Sequence, residues 1–206
     1  MYRTTAKLYI AILALSIVGC KSSTLQINAD TKRDFSFANG TWWIYQDSAT
    51  GSTDSFAVLH FEDKNNSGCC KGNSVEEISD SVYLNGNPDS LSFIWALQAS
   101  NNIIYQGYTF PTSKAVIIQF QVPFQNVTST FISNEPTNDV FSITPLQSFQ
   151  VNGTLFDTVA MIYHTDYDTT YNDWYYIASG VGIVKMEINH PNQKQTLNIV
   201  RYNIVR

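Results

Sequence analysis

Beyond residue 35 the apolar residues never settle into a 3.6-residue period. They come in short runs rich in aromatic and β-branched residues, each closed by Gly, Pro, Asn, Asp or Ser. Runs of this kind make strands, because β-branched and aromatic side chains suit a pleated surface and the closing residues suit turns. The clearest are Thr41 to Tyr45, Thr53 to Phe61, Val75 to Leu84, Asp89 to Gln98, Ile103 to Tyr108 and Ala115 to Phe120. Val140 to Thr144, Gln147 to Val151, Thr154 to His164, Trp174 to Ala178, Val181 to Ile188 and Thr196 to Val205 complete the set. Asn152-Gly153 predicts a two-residue hairpin turn, since both residues must take positive φ there. Glu62 to Ser74 reads as a long polar loop, and 121–146, with Pro123, Pro136 and Pro145, as the least regular stretch. The fold class is therefore all-β: an antiparallel, strongly curved sheet, an open barrel or a sandwich. It forms a single domain over 35–206.

Composition narrows the function. Twelve Tyr and twelve Phe with only 14% charged residues exclude a coiled coil, a helical bundle and a highly charged disordered chain. A formal net charge of -5 argues against a nucleic-acid partner, which needs a basic face.

The N-terminus is an address. Arg3 and Lys7 are its only charges before Cys20, and Leu8 to Val18 is an apolar run of eleven residues. A membrane-spanning helix needs about 20, so residues 1–19 read as a helical signal peptide. Ile17-Val18-Gly19-Cys20 resembles the lipobox of bacterial lipoproteins. By that resemblance Gly19 fits the peptidase site, and the Cys20 thiol takes a diacylglyceryl group and becomes the first mature residue. Residues 20–34, the lipidated Cys and the polar stretch after it, read as a flexible tether. In Gram-negative lipoproteins an Asp after the lipidated Cys commonly retains the protein in the inner membrane. Lys21 stands there, so the resemblance implies the outer membrane, and the absence of an acidic cluster in Lys21-Ser22-Ser23-Thr24 implies its periplasmic face.

Two further stretches resemble uncharacterised β-rich envelope lipoproteins of Gram-negative bacteria. They are Gly40-Thr41-Trp42-Trp43-Ile44-Tyr45-Gln46-Asp47-Ser48 and Tyr175-Tyr176-Ile177-Ala178-Ser179-Gly180-Val181-Gly182-Ile183-Val184-Lys185. That resemblance implies no activity. Physically, Gly180 and Gly182 permit a bulge or a close backbone approach between two strands.

Few residues are arranged for chemistry. Cys69 and Cys70 are adjacent in Ser67-Gly68-Cys69-Cys70-Lys71-Gly72. In an oxidising compartment they pair with each other, pair with other chains, or remain as thiols in a loop. Redox pairs read Cys-x-x-Cys, and adjacent thiolates without a nearby His are poor metal spacing. His164, Asp166 and Asp168 alternate, with Asn172 and Asp173 further on; without the sixth-position Gly and twelfth-position Glu of a calcium loop this reads as a polar hairpin tip. The three His (60, 164 and 190) are scattered, and His60 reads as a partly buried strand residue. No nucleophile elbow, phosphate loop or dinucleotide fingerprint is present, so no catalytic residue, cofactor or metal is expected.

Trp42, Trp43, Tyr45, Trp174, Tyr175 and Tyr176 form two aromatic clusters that either fill the core or present a ligand surface. Five Asp-[Ser/Thr]-x sites resemble the O-glycosylation sequon some Gram-negative bacteria use on exported proteins, and the acceptors would be Ser48, Ser81, Ser90, Thr158 and Thr169. The expectation is a lipid-anchored envelope protein: its lipid holds it to the membrane, and its non-enzymatic β scaffold binds an apolar ligand, a glycan or a partner protein. The alternative is an envelope hydrolase with an unrecognised active site.

Overall fold

A computed structural model describes residues 24–67, 74–85, 91–98, 103–110, 113–121, 124, 127–132, 138–165, 172–191 and 193–206. The signal peptide, Cys20, Cys69, Cys70, Asp166, Asp168, Ser90 and Thr169 lie outside the described residues. The strands are β1 (Thr24–Leu25), β2 (Trp42–Asp47), β3 (Thr53–Ser67), β4 (Ser74–Leu84), β5 (Leu91–Gln98), β6 (Ile103–Phe110) and β7 (Ser113–Gln121). They continue with β8 (Val127–Ile132), β9 (Asn138–Val151), β10 (Thr154–Thr165), β11 (Asn172–Ala178), β12 (Gly182–His190) and β13 (Gln193–Asn203). One helix, α1 (Ala29–Phe35), precedes β2.

The strands form one sheet in the order β7-β6-β5-β4-β3-β2-β13-β12-β11-β10-β9-β8, with β1 paired to β4 off this path. Two meanders, β2 to β7 and β8 to β13, are thus joined where β13 pairs antiparallel with β2. Chain connectivity dictates the curvature. Laid flat, strands about 4.8 Å apart would put β7 and β8 roughly 53 Å from each other. The six peptide steps from Gln121 to Val127 reach only about 21 Å. The sheet must curl, and it does so into a half-barrel. The all-β antiparallel expectation holds in its strongly curved, open form.

The Asn152-Gly153 turn has φ of 48° and 81°, the two positive values its hairpin requires. Two expectations about strand extents fail. The polar loop over Glu62 to Ser74 is largely strand: β3 continues to Ser67 and β4 begins at Ser74, paired from Phe61↔Asp80 to Ser67↔Ser74. Backbone pairing carries the hairpin past the last apolar residue, so polarity alone misplaces its end. The stretch 121–146 is also mostly strand. Pro145 sits inside β9, but β8 pairs no further than Ile143, which leaves an edge where a missing N–H is tolerated. His60 lies on β3 as expected but is exposed, because the register shifts between Val58 and His60 and breaks the alternation.

The flexible tether over 20–34 is the largest correction, since residues 24–34 are folded. β1 pairs parallel with Ser74 and Val75 of β4, just past Glu77, where β5 ends. Thr31 and Phe35 are spaced by four, so they share one face of α1, and both are buried, as is Ile27 ahead of the helix cap. The Asn28 side chain accepts from the Asp30 N–H at 2.8 Å and caps α1. This segment lies across the inner face of the half-barrel. Ile27 N–H donates to Glu76 Oε2 at 2.8 Å, and Lys32 pairs with Glu76. Phe37 meets Trp43 edge-on at 5.2 Å, and Phe35 meets Phe124, from the β7–β8 connection, at 5.6 Å. Arg206 closes over the segment, donating to the Ser36 carbonyl at 2.9 Å and the Gly180 carbonyl at 2.6 Å, with its guanidinium 5.4 Å from the Phe37 ring centroid. With so few apolar residues the segment shows no periodicity long enough to read; its fit is to the sheet.

Gly182 has φ of 92°, and a Cβ there would lie 3.3 Å from Phe37 Cζ. It is the close approach that the two glycines predict, with the N-terminal segment as the approaching partner. Asp80, fully buried on β4, accepts from Phe37 N–H through Oδ2 at 2.9 Å, while Oδ1 has no hydrogen-bond partner among the described residues. Burial pushes its pKa up to about 8, against the opposing effects of the Phe37 N–H and the Arg206 charge. Asp80 is therefore mostly a neutral acid at pH 7.

Candidate functional site

Strand alternation divides both aromatic clusters between the two faces of the sheet. Trp43, Tyr45 and Tyr175 point inward and are buried. Trp43 Nε1–H donates to the Val181 carbonyl at 2.6 Å, and the Tyr45 hydroxyl to the Ile183 carbonyl at 2.7 Å. Burial raises the pKa of Tyr45 and of Tyr175, so both remain neutral phenols. These three are core residues and offer no ligand surface. Trp42, Trp174 and Tyr176 point outward and are half-buried. Trp42 stands alone on β2, with β13 and β12 between it and β11.

Trp174 and Tyr176 belong to an outer strip across β9 to β12. Tyr176 stacks on Phe149 at 4.2 Å with an interplanar angle of 11°. Lys185, opposite Tyr176 on β12, holds its Nζ 5.3 Å from the Tyr176 centroid and 5.9 Å from that of Phe149. Lys185 also pairs with Glu187 at 2.6 Å. Further along, Tyr163 and Trp174 are directly opposed in the ladder, with centroids 5.0 Å apart. The Tyr163 hydroxyl donates to Asn172 Oδ1 at 2.7 Å. The strip thus combines flat apolar faces with a cation, a carboxylate and a hydroxyl. Tyr163 and Lys185 escape a reading based on sequence clusters because cross-strand register, not sequence adjacency, brings them to Trp174 and Tyr176; Phe149 is brought to Tyr176 by neither, since the ladders set Thr144, through Met161, in line with Tyr176.

The inner face near the far end of β10, β11 and β12 holds a second group. His164 and Asp173 are opposed in the β10–β11 ladder and both are buried. His164 Nδ1 is 3.7 Å from Asp173 Oδ2. His190 Nε2, at the end of β12, lies 3.0 Å from Asp173 Oδ1 and 3.2 Å from Oδ2. The Tyr175 hydroxyl donates to Asp173 Oδ2 at 3.3 Å. Burial opposes ionisation of Asp173, but the two imidazoles that face its carboxyl outweigh it and lower its pKa. The Asp173 carboxylate pairs directly with His190, while His164 Nδ1 faces it from beyond hydrogen-bond distance. The polar hairpin tip expected from the sequence is therefore, at its base, a buried His-Asp-His group, and two of the three scattered histidines converge. Among the described residues no group of three or more His, Cys, Asp or Glu is arranged to hold a metal ion.

Of the acceptor sites, Ser48 is exposed in the turn after β2, where its Oγ accepts from Asn198 Nδ2 at 2.7 Å. Thr158 is exposed on β10 with φ of 53°, and Ser81 is half-buried on β4.

Comparison with protein-family models gives no match, and neither does comparison with curated proteins. Among solved structures, the chain is similar to a protein from Parabacteroides distasonis provisionally described as a lipoprotein. The two are 13% identical with a TM-score of 0.39, over 82% of this chain and 97% of that one. A likeness at this level establishes neither a shared fold nor a shared role.

Proposed function

We propose that the chain is a lipid-anchored envelope protein, held in the outer membrane on its periplasmic face through Cys20, whose half-barrel is a non-enzymatic module that binds a glycan. The observation that carries the binding role is the outer strip of Phe149, Tyr163, Trp174 and Tyr176 with Lys185 and Glu187. Sugar rings present C–H faces to aromatic rings and hydroxyls to charged groups, and the strip supplies both at once. The inner face supports an apolar ligand less well, because Ile27, Phe35 and Phe37 already lie across it. The anchor rests on Ile17-Val18-Gly19-Cys20. Exposed Ser48 and Thr158 are the described acceptors with most room for an O-linked glycan.

The test is binding of fluorescent envelope oligosaccharides to residues 21–206. Trp174→Ala and Tyr176→Ala should each weaken binding about tenfold, or roughly 1.4 kcal/mol. Unchanged affinity in both variants would refute the strip. Saturation by a protein extract that glycans cannot compete would favour a partner protein instead.

A second reading, an envelope hydrolase, is favoured by His164, Asp173 and His190. It requires hydrolytic turnover that His190→Ala abolishes while glycan binding persists.

A further inference from the structure

The end of the β9–β10 hairpin leaves the line of its own strands. β10 pairs with β9 from Thr154 to Thr165 but with β11 only from Val159 onward, so residues 147–158 overhang β11. Continued straight, they would stand clear of it. The ladders set Thr144, through Met161, in line with Tyr176. Phe149 is five residues further on, roughly 17 Å along an extended strand, yet its ring centroid lies 4.2 Å from that of Tyr176. Asn152, in the turn itself, donates from Nδ2 to the Ile199 carbonyl at 3.1 Å. That carbonyl is on β13, three strands from β10, or about 14 Å sideways. The hairpin end is therefore folded back across β11, β12 and β13.

Thr158 marks the bend. It is the last residue before pairing with β11 begins, and its φ of 53° is left-handed, a conformation that β-branched side chains avoid. The Ser179 N–H, just after β11, donates to the Thr158 carbonyl at 3.1 Å and pins that side of the bend. An extended Thr158 would straighten the hairpin and release the strain. Few contacts hold the folded-back end. Within it only Val151 and Phe156 are buried, Phe149 is half-buried, and the rest is exposed. Its ties to the sheet are the Phe149–Tyr176 stack, Lys185 Nζ 5.9 Å from the Phe149 centroid, the Phe156–Tyr202 contact and the Asn152 hydrogen bond. Segments with little buried apolar surface open at low cost.

We propose that residues 147–157 are a flap hinged at Thr158, closed with Phe149 on Tyr176 and opening to admit a sugar ring between those two aromatic faces. Stacking and the Asn152 hydrogen bond favour the closed form, and backbone strain at Thr158 opposes it, so a ligand can tip the balance. A sugar offers a C–H face to each ring and replaces the stack that the closed flap makes with itself. The inference rests on the glycan-binding reading and adds to it the control of access to that site.

The test places one fluorinated phenylalanine at position 149 of residues 21–206 and follows its fluorine resonance, which the Tyr176 ring shifts when the two stack. Tyr176→Leu supplies the unstacked position. Asn152→Gly keeps the positive φ of the turn and removes the bond to Ile199, so the resonance should move towards the unstacked position. Adding Thr158→Gly, which takes a φ of 53° without strain, should move it back. An unmoved resonance in Asn152→Gly, or a double variant displaced further from the wild type, would overturn the hinge. Lipopolysaccharide core oligosaccharide is then titrated into the three proteins. Asn152→Gly should bind it several-fold more tightly than the wild type, and the double variant no more tightly than the wild type. Equal affinity in all three would overturn the flap as a gate. Resonances that move as expected, with no binding in any of the three, would uphold the hinge and refute the sugar, and the glycan-binding reading with it.

Discussion

Replacing Asp80 by Asn isolates a single buried proton. In the folded protein the Asp80 carboxyl titrates near about 8, whereas its ordinary value is 3.8. Between those values the folded state keeps a proton that the unfolded state has released, so stability falls as pH rises and the penalty is complete above the folded value. Each pH unit is worth about 1.4 kcal/mol. Between about pH 5 and pH 8 the wild type should lose about 4 kcal/mol relative to Asp80→Asn. The Asn carbonyl can still accept from Phe37 N–H, and its amide group needs no ionisation, so the variant should unfold at a higher urea concentration than the wild type at pH 8. Urea unfolding of residues 21–206 at half-unit pH steps reads the difference directly. Parallel profiles for the two proteins would refute the reasoning, since they would mean that Asp80 ionises as freely in the folded state as in the unfolded one.

Phe35, only 1% exposed, anchors α1 on the inner face, and Phe35→Ala should destabilise the domain by about 3–5 kcal/mol, measured by the same unfolding. The N-terminal segment should also become the first site of limited proteolysis. Gly182→Ala meets both a positive φ and the Phe37 ring, and should cost about 1–3 kcal/mol. Gly51→Ala, at a φ of 72° with no atom within 4 Å of the added Cβ, keeps the strain without the clash and should cost less than Gly182→Ala in a thermal melt.

Most of the fold is legible in the sequence because strand and turn signals are local. Asn152-Gly153 dictates its own hairpin, and the runs around Trp42, Thr154 and Trp174 announce strands through their aromatic and β-branched residues. The ends of β3 and β4 are not legible, because residues such as Asp63 and Lys64 enter a ladder whose hydrogen bonds do not depend on their side chains. Nor is the docking of 24–37. Its determinants are Glu76 and Asp80, more than forty residues away, and a glycine at 182 that lets Phe37 approach. The candidate sites divide in the same way. Alternation from Trp174 shows that Tyr176 shares its face and Tyr175 does not. Bringing His190 to Asp173, or Lys185 to Tyr176, requires the order of strands in the sheet, which sequence runs do not encode locally.

The proposed anchor ties this half-barrel to a membrane through Cys20, four residues before its first strand pair. The decisive measurement is the intact mass of the protein extracted from its native envelope, with sequencing of the N-terminal peptide. An anchored protein should begin at Cys20 and carry a diacylglyceryl group on its thiol, and a Cys20→Ala variant should lack this mass and leave the membrane fraction. A chain that begins elsewhere, or a Cys20 thiol found unmodified in membrane-bound protein, would contradict the anchor.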